Sequence, residues 1–268
     1  GSIGSGTFDR NGHIAVGANA GQNISGNQTI AIGVGAGSNS TGNVSSSDYN
    51  IALGSDAGTN LSGNQNISIG FGSNKDRNAT VQSSVAIGAA TFTESLGVAV
   101  GTRASVAQGG VALGYDSIVT GTSGVAIGLD SLASQSDVAL GSGSIAQNNS
   151  LGNGYITNVS GGVGGFNIVS VGNKNEQRRI TNVADGSDLQ DAVTVNQIKA
   201  LQNDIIRVMG ATDAKGNPAT IGSGGTLPLI QVNVKDSSGN TSKLPTTIQD
   251  AFDLLGTGQI GGVVPDAV

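Results

Sequence analysis

The chain has no cysteine and no tryptophan, one methionine, one histidine and four prolines in 268 residues. Without cysteine there are no disulfides, no thiolate metal sites and no cysteine nucleophile. Aromatic residues make up only 3% of the sequence, so large side chains cannot fill a globular core and any interior must be thin. Charged residues reach 11%, about half the usual share. The net charge of −6, the pI near 4.5 and the lack of any Lys/Arg run speak against a nucleic-acid partner. No apolar run approaches the roughly 18 residues of a membrane-spanning helix, and no cleavable signal pattern is present. The lone histidine, His13, leaves little material for acid–base chemistry, and together these absences argue against an enzyme. The chain does not begin with Met and reads as a fragment of something longer.

Glycine, by contrast, supplies 45 residues. So much Gly, Ser and Asn suggests disorder, yet disorder goes with low hydrophobicity and high net charge. Here the hydrophobic fraction is 37% and the mean hydropathy +0.02. The glycines show no period of three, which excludes collagen.

A repeat accounts for them. Its unit is a small or polar residue followed by apolar–small–apolar–Gly, as in His13-Ile14-Ala15-Val16-Gly17 and Ser84-Val85-Ala86-Ile87-Gly88. Ten copies close at Gly17, Gly33, Gly54, Gly70, Gly88, Gly101, Gly114, Gly128, Gly141 and Gly172. From Gly88 to Gly141 the closing glycines stand 13 or 14 residues apart, and the earlier ones 16 to 21 apart, so the earlier coils carry insertions. Repetition at such a period is the mark of a solenoid. Each copy alternates with period two and reads as a short strand. Three residues after each closing glycine stands a second small residue, from Ala20 to Ser144, and the regular copies add Thr93, Val106, Val119, Ala133 and Ala146 two positions later. That pattern predicts a second short strand per coil, with tight turns at glycines.

So narrow a coil has room for Ala86-type residues inside. The branched residues of the first strand then face outward: Val85, Ile87, Val98, Val100, Val111, Leu113, Val125, Ile127, Val138 and Leu140. An apolar column of that length needs a partner, and identical columns meeting about a symmetry axis are the economical solution. The outward positions of the second strand carry Phe92, Ser105, Ile118, Leu132 and Ile145, so Phe92, Ile118, Leu132 and Ile145 form a candidate ligand face.

The Ser-Val-Ala-Ile-Gly repeats resemble the head of the trimeric autotransporter adhesins of Gram-negative bacteria, the YadA-like group. Arg178-Arg179-Ile180-Thr181-Asn182-Val183, followed by Asp191-Ala192-Val193-Thr194-Val195-Asn196-Gln197-Ile198, resembles that family's neck. The resemblance implies a mainly β chain: a left-handed parallel β-roll solenoid with three chains packed side by side. A neck with a short coiled-coil helix and a small α/β connector follow. It divides the chain into a head at 1–172, a neck at 173–199 and a stalk or connector at 200–268. Asp191 is expected to cap the helix N-terminus. Val195, Ile198, Gln202, Ile205 and Met209 follow at 3-4-3-4 spacing as a coiled-coil seam, so Val195, Ile198 and Ile205 join the expected trimer interface. Asp185, Asp188 and Asp191 lie close in sequence to Lys174, Arg178 and Arg179, which suggests ion pairing between chains, although surface pairs contribute little each. Further on, 222–225 reads as a linker, 229–234 as a strand, 235–241 as a turn and 246–255 as a helix.

No catalytic, cofactor or metal pattern is found. His13 has no visible ligand partners and reads as a residue at the end of the roll. The Gly/Asn-rich stretches at 21–28 and 58–65 lack the Lys-Ser/Thr and strand–loop–helix setting of a phosphate loop and read as turns between coils. The reading is therefore a surface adhesin passenger, a homotrimer that binds host extracellular matrix proteins or cell-surface receptors by multivalent, non-catalytic contact. It would be displayed from the outer membrane of a Gram-negative cell, with no membrane insertion by this fragment. The alternative is a trimeric structural fibre module, of a phage or a surface fibre, whose head binds nothing. A hexad-repeat β-helix enzyme and a Thr-ladder ice-binding solenoid fit less well, because the period and the Thr placement are wrong.

Overall fold

A computed structural model of the chain describes residues 12–24, 27–39, 49–76, 80–147, 167–208, 230–235 and 241–246. The chain divides into two compact units, Gly1–Arg179 and Ile180–Val268. The first is a parallel β-solenoid. Its larger sheet stacks ten strands in chain order: Ile14–Val16, Ile30–Ile32, Ile51–Leu53, Ile67–Ile69, Val85–Ile87, Val98–Val100, Val111–Leu113, Val125–Ile127, Val138–Leu140 and Val169–Ser170. Register is strict, with Val85 beside Val98, Val98 beside Val111, and Ala86 beside Ala99. The second sheet has five strands, Phe92–Thr93, Ser105–Val106, Ile118–Val119, Leu132–Ala133 and Ile145–Ala146. The strands are three and two residues long, shorter than the repeat suggests, because the corners take up the rest of each coil.

The interior is as thin as the composition requires. Ala31, Ala86, Ala99, Ala112, Ala126 and Ala139 from the larger sheet are fully buried, as are Ala104, Val106, Ala133 and Ala146 from the opposite side. The closing glycines form a column of their own. A Cβ on Gly101 would lie 2.3 Å from the carbonyl oxygen of Gly114, and one on Gly88 would lie 2.6 Å from that of Gly101. Adjacent coils therefore touch backbone to backbone, which only glycine permits.

The head contains two kinds of coil. In the first four, the residues after the closing glycine form a ladder of turns rather than a strand. Every second residue there has positive φ, as at Asn19, Gly21 and Asn23, or Asp56, Gly58 and Asn60. Rungs such as Gly21 N–H to Ala36 O and Gly37 N–H to Ala57 O join one coil to the next. Asn74 marks the change of type. Its side-chain Oδ1 accepts from the Thr93 amide at 2.8 Å and its Nδ2 donates to Thr93 Oγ1 at 2.8 Å. A buried side-chain amide thus stands in for a neighbouring strand at the start of the second sheet.

Within the second unit, the helix Val195–Val208 follows the extended neck, and Ile230–Lys235 pairs antiparallel with Thr241–Thr246. The strand expected at 229–234 is present, shifted by one residue. The strand Thr241–Thr246 lies between the segments read from the sequence as turn and helix, and it ends where that helix was expected to begin. The remainder of the expected helix at 246–255 and the expected linker at 222–225 lie outside the described residues.

Candidate functional site

The alternation of the larger sheet sorts its side chains cleanly. While the central alanines are sealed, Val85, Ile87, Val98, Val100, Val111, Val125 and Val138 remain half-buried in the single chain. Leu113, Ile127 and Leu140 are more than a third exposed, and at the N-terminal end Val16 reaches 56%. Cross-strand register lines these residues up as one continuous apolar face.

The second sheet presents its own outward row. Register places Phe92, Ser105, Ile118, Leu132 and Ile145 side by side on successive coils. Phe92, Ile118 and Ile145 are exposed, and Leu132 and Ser105 are half-buried. Two residues ahead of this row, Arg103 pairs with Asp116 of the next coil through both Nε and Nη2, and its guanidinium lies 4.7 Å from the Tyr115 ring centroid. The hydrogen bond from Arg103 holds the Asp116 carboxyl below the ordinary carboxylate range and raises the guanidinium in turn. Arg103 is exposed and Asp116 half-buried at the surface, so the pair contributes little to stability.

Within one chain the charged side chains of the neck bond to backbone and hydroxyl groups. Arg178 reaches back to the end of the glycine column and donates to Ser142 O and Val171 O, each at 2.6 Å, and to Ser144 Oγ at 3.0 Å. Asn173 joins it, donating from Nδ2 to Gly143 O. Over Gly141 the Arg178 guanidinium takes the place that the next closing glycine takes in the earlier coils. Arg179 is exposed. Asp185 accepts from the Thr194 hydroxyl.

Asp191 does not cap the helix. Its Oδ2 accepts from the amides of Ser187 at 2.9 Å and Asp188 at 3.0 Å, and these bonds hold its carboxyl below the ordinary range. The cap is Thr194, whose Oγ1 accepts the Gln197 amide while Gln197 Oε1 accepts the Thr194 amide. Local chemistry favours this choice, since Thr-x-x-Gln forms a reciprocal capping box and Asp191 is too far upstream to reach the first turn. Gln197 also exchanges two hydrogen bonds with Gly186, which folds the neck loop onto the helix start. The Thr194–Gln197 spacing was available in the sequence as the signal for this site.

On the helix, Val195, Ile198 and Ile205 are exposed in the single chain and Gln202 is half-buried. Met209 lies outside the described residues. His13 has a structural partner: its Nδ1 accepts the Thr29 amide at 3.2 Å. Asn50 and Asn66 repeat this arrangement further along, each accepting the amide of the equivalent residue in the next coil. Among the described residues, no helix is long and apolar enough to cross a membrane.

Residues 179–221 match the family model for the coiled stalk of trimeric autotransporter adhesins. A stretch of 101 residues, 38% of the chain, is 37% identical to the trimeric autotransporter adhesin AtaA of Acinetobacter sp. (strain Tol 5), and it spans 3% of that protein's length. The crystal structure of the collagen-binding domain of the Yersinia adhesin YadA superposes with a TM-score of 0.52 at 26% identity, covering 72% of this chain and 98% of that one. Proteins of this kind are displayed on Gram-negative bacteria through an outer-membrane anchor. Solenoid, stalk match and relatives agree: the chain is similar to the YadA-like trimeric autotransporter adhesins.

Proposed function

We propose that three copies of this chain pack through the apolar face of the larger sheet and the helix stripe, and that the assembly attaches the bacterium to host extracellular matrix or cell-surface ligands without catalysis. The observation that carries the reading is the division of the larger sheet, whose alanine side is fully buried while its Val/Ile/Leu side stays open in one chain. A continuous apolar face of that kind is an interface in a protein that stays in solution. The trimer is supported further by the stalk match and by the helix, which is 14 residues long and too short to be stable alone in water. The head at 1–172, the neck at 173–199 and the connector at 200–268 are the proposed division of labour. Arg178, Arg179, Asp185 and Asp191 belong to the neck, which joins the head to the stalk.

The ligand face we propose is the row Phe92, Ile118, Leu132 and Ile145. It repeats once per coil and would occur three times per trimer, so weak contacts sum to avidity. The superposed Yersinia domain is described as collagen-binding, which makes fibrillar collagen the first ligand to test. The experiment measures binding to immobilised collagen, fibronectin and laminin, before and after changing these four residues to Ser. The proposal predicts at least a tenfold loss of affinity for the bound matrix protein with the assembly intact. Unchanged binding would remove this row as the ligand face.

A further inference from the structure

We infer that the early coils contain a binding site for one buried water, held by Thr29, Asn50 and Ser68 from three successive coils. The first observation is a cavity of about 10 Å³ inside the head. That volume admits a single water and nothing larger. Thr29, Asn50 and Ser68 are the polar side chains that line it, with Ile24, Ala52 and Leu61 among the apolar ones. All three polar residues are buried, at 4%, 7% and 1% exposure.

The second observation is the Ser68 hydroxyl, whose Oγ has no hydrogen-bond partner among the described residues. Register sets Ser68 between Ala52 and Ala86 on the inward row of the larger sheet. Alanine therefore suits the place, and a buried hydroxyl left without a partner is costly. Where serine recurs on this row, at Ser170, the hydroxyl donates to Gly172 O at 2.8 Å. Ser68 Oγ instead faces the turn ladder, 3.7 Å from where a Cβ on Gly58 would lie, and Gly58 lines the same cavity.

The third observation is a gap in a ladder of side chains. The residue that opens each long coil accepts the amide of its equivalent in the next. His13 Nδ1 accepts from Thr29 at 3.2 Å, Asn50 Oδ1 from Asn66 at 2.9 Å, and Asn66 Oδ1 from Ser84 at 3.2 Å. Among the described residues no such rung joins Thr29 to the Asn50 amide. Side-chain length is the reason, since threonine carries its oxygen on Cβ and asparagine and histidine carry the acceptor one atom further out. A water supplies the missing length. It accepts from the Asn50 N–H and the Ser68 hydroxyl and donates to Thr29 Oγ1, which gives it the usual number of partners for a buried water.

The test is a crystal structure of the full chain at a resolution that shows ordered water, with Ser68→Ala and Thr29→Asn beside it. The expected result is one water within hydrogen-bond distance of Ser68 Oγ, Thr29 Oγ1 and the Asn50 nitrogen. Thr29→Asn should lose that water, because the longer side chain reaches the Asn50 amide itself. Ser68→Ala should lower the melting temperature by roughly 2–4 °C, the shift expected for one lost hydrogen bond in a chain of this size, although alanine is the usual residue of the row. A dry cavity, or a Ser68 hydroxyl turned onto a protein carbonyl, overturns the inference. So does a higher melting temperature in Ser68→Ala, which would mark the hydroxyl as unpartnered.

Discussion

Glycine at the close of each repeat is where one residue decides the fold. Gly101 has φ of +132°, and a Cβ there would overlap the Gly114 carbonyl at 2.3 Å. Gly109, at the opposite corner, has φ of +69° with its nearest contact at an ordinary 3.6 Å. Gly109→Ala is expected to cost about 1–2 kcal/mol, the ordinary left-handed penalty. Gly101→Ala adds a steric collision to strain of about 1–3 kcal/mol and must lower the melting temperature further. Equal losses would contradict the picture of coils stacked backbone on backbone. At this scale much was legible: the glycine period and the inward alanines follow from alternation alone. Asn74 and Arg178 were not, because each works by placing a side chain where a backbone group would otherwise be, and nothing in the local pattern announces such a substitution. Nor was the role of His13, whose bond to Thr29 depends on which residue the next coil brings alongside.

Among the elements, the neck and helix show how a local reading can choose the wrong residue of the right type. Asp191, Thr194 and Gln197 all precede or open the helix, and an acid at a helix start is favourable in general. Distance settles the matter, since Thr194 reaches the first-turn amide and Asp191 instead ties down the turn at Ser187 and Asp188. The tie has a pH signature. Because the folded Asp191 carboxyl titrates below its ordinary value of about 4, its bonds are fully present above that value. They are lost as pH falls through the lower, folded pKa. The amide resonances of Ser187 and Asp188 should therefore shift together in acid, and in Asp191→Asn they should not follow that titration. A titration that persists in the variant would assign the effect to another carboxyl. The early coils gave a second mismatch of scale: their extra residues read as insertions and 21–28 and 58–65 as turns between coils, but alternating positive φ over 19–23 and 56–60 makes an ordered turn ladder. Composition cannot separate those outcomes, since both ask for residues that tolerate positive φ.

For the whole molecule, one chain leaves a great deal of apolar surface to water. The outer face of the larger sheet, Ile180, Val183 and Val193 in the neck, and Val195, Ile198, Leu201 and Ile205 on the helix are open to varying degrees. The sequence indicated most of these positions, because alternation and heptad spacing say which way a residue points. It could not say what covers them, since a partner copy leaves no mark on the local pattern of its own chain. Replacing Val85 and Ile87 by Ser should weaken the assembly by up to about 1.5–3 kcal/mol per side chain in each chain. Light scattering on a sizing column would record this as dissociation at higher protein concentration than for the parent chain. The same measurement on the unaltered chain tests the central claim most directly. The account predicts a mass three times the 26.2 kDa of one chain. A mass of one chain, stable across concentration, would contradict the shared apolar face and the multivalent adhesion built on it.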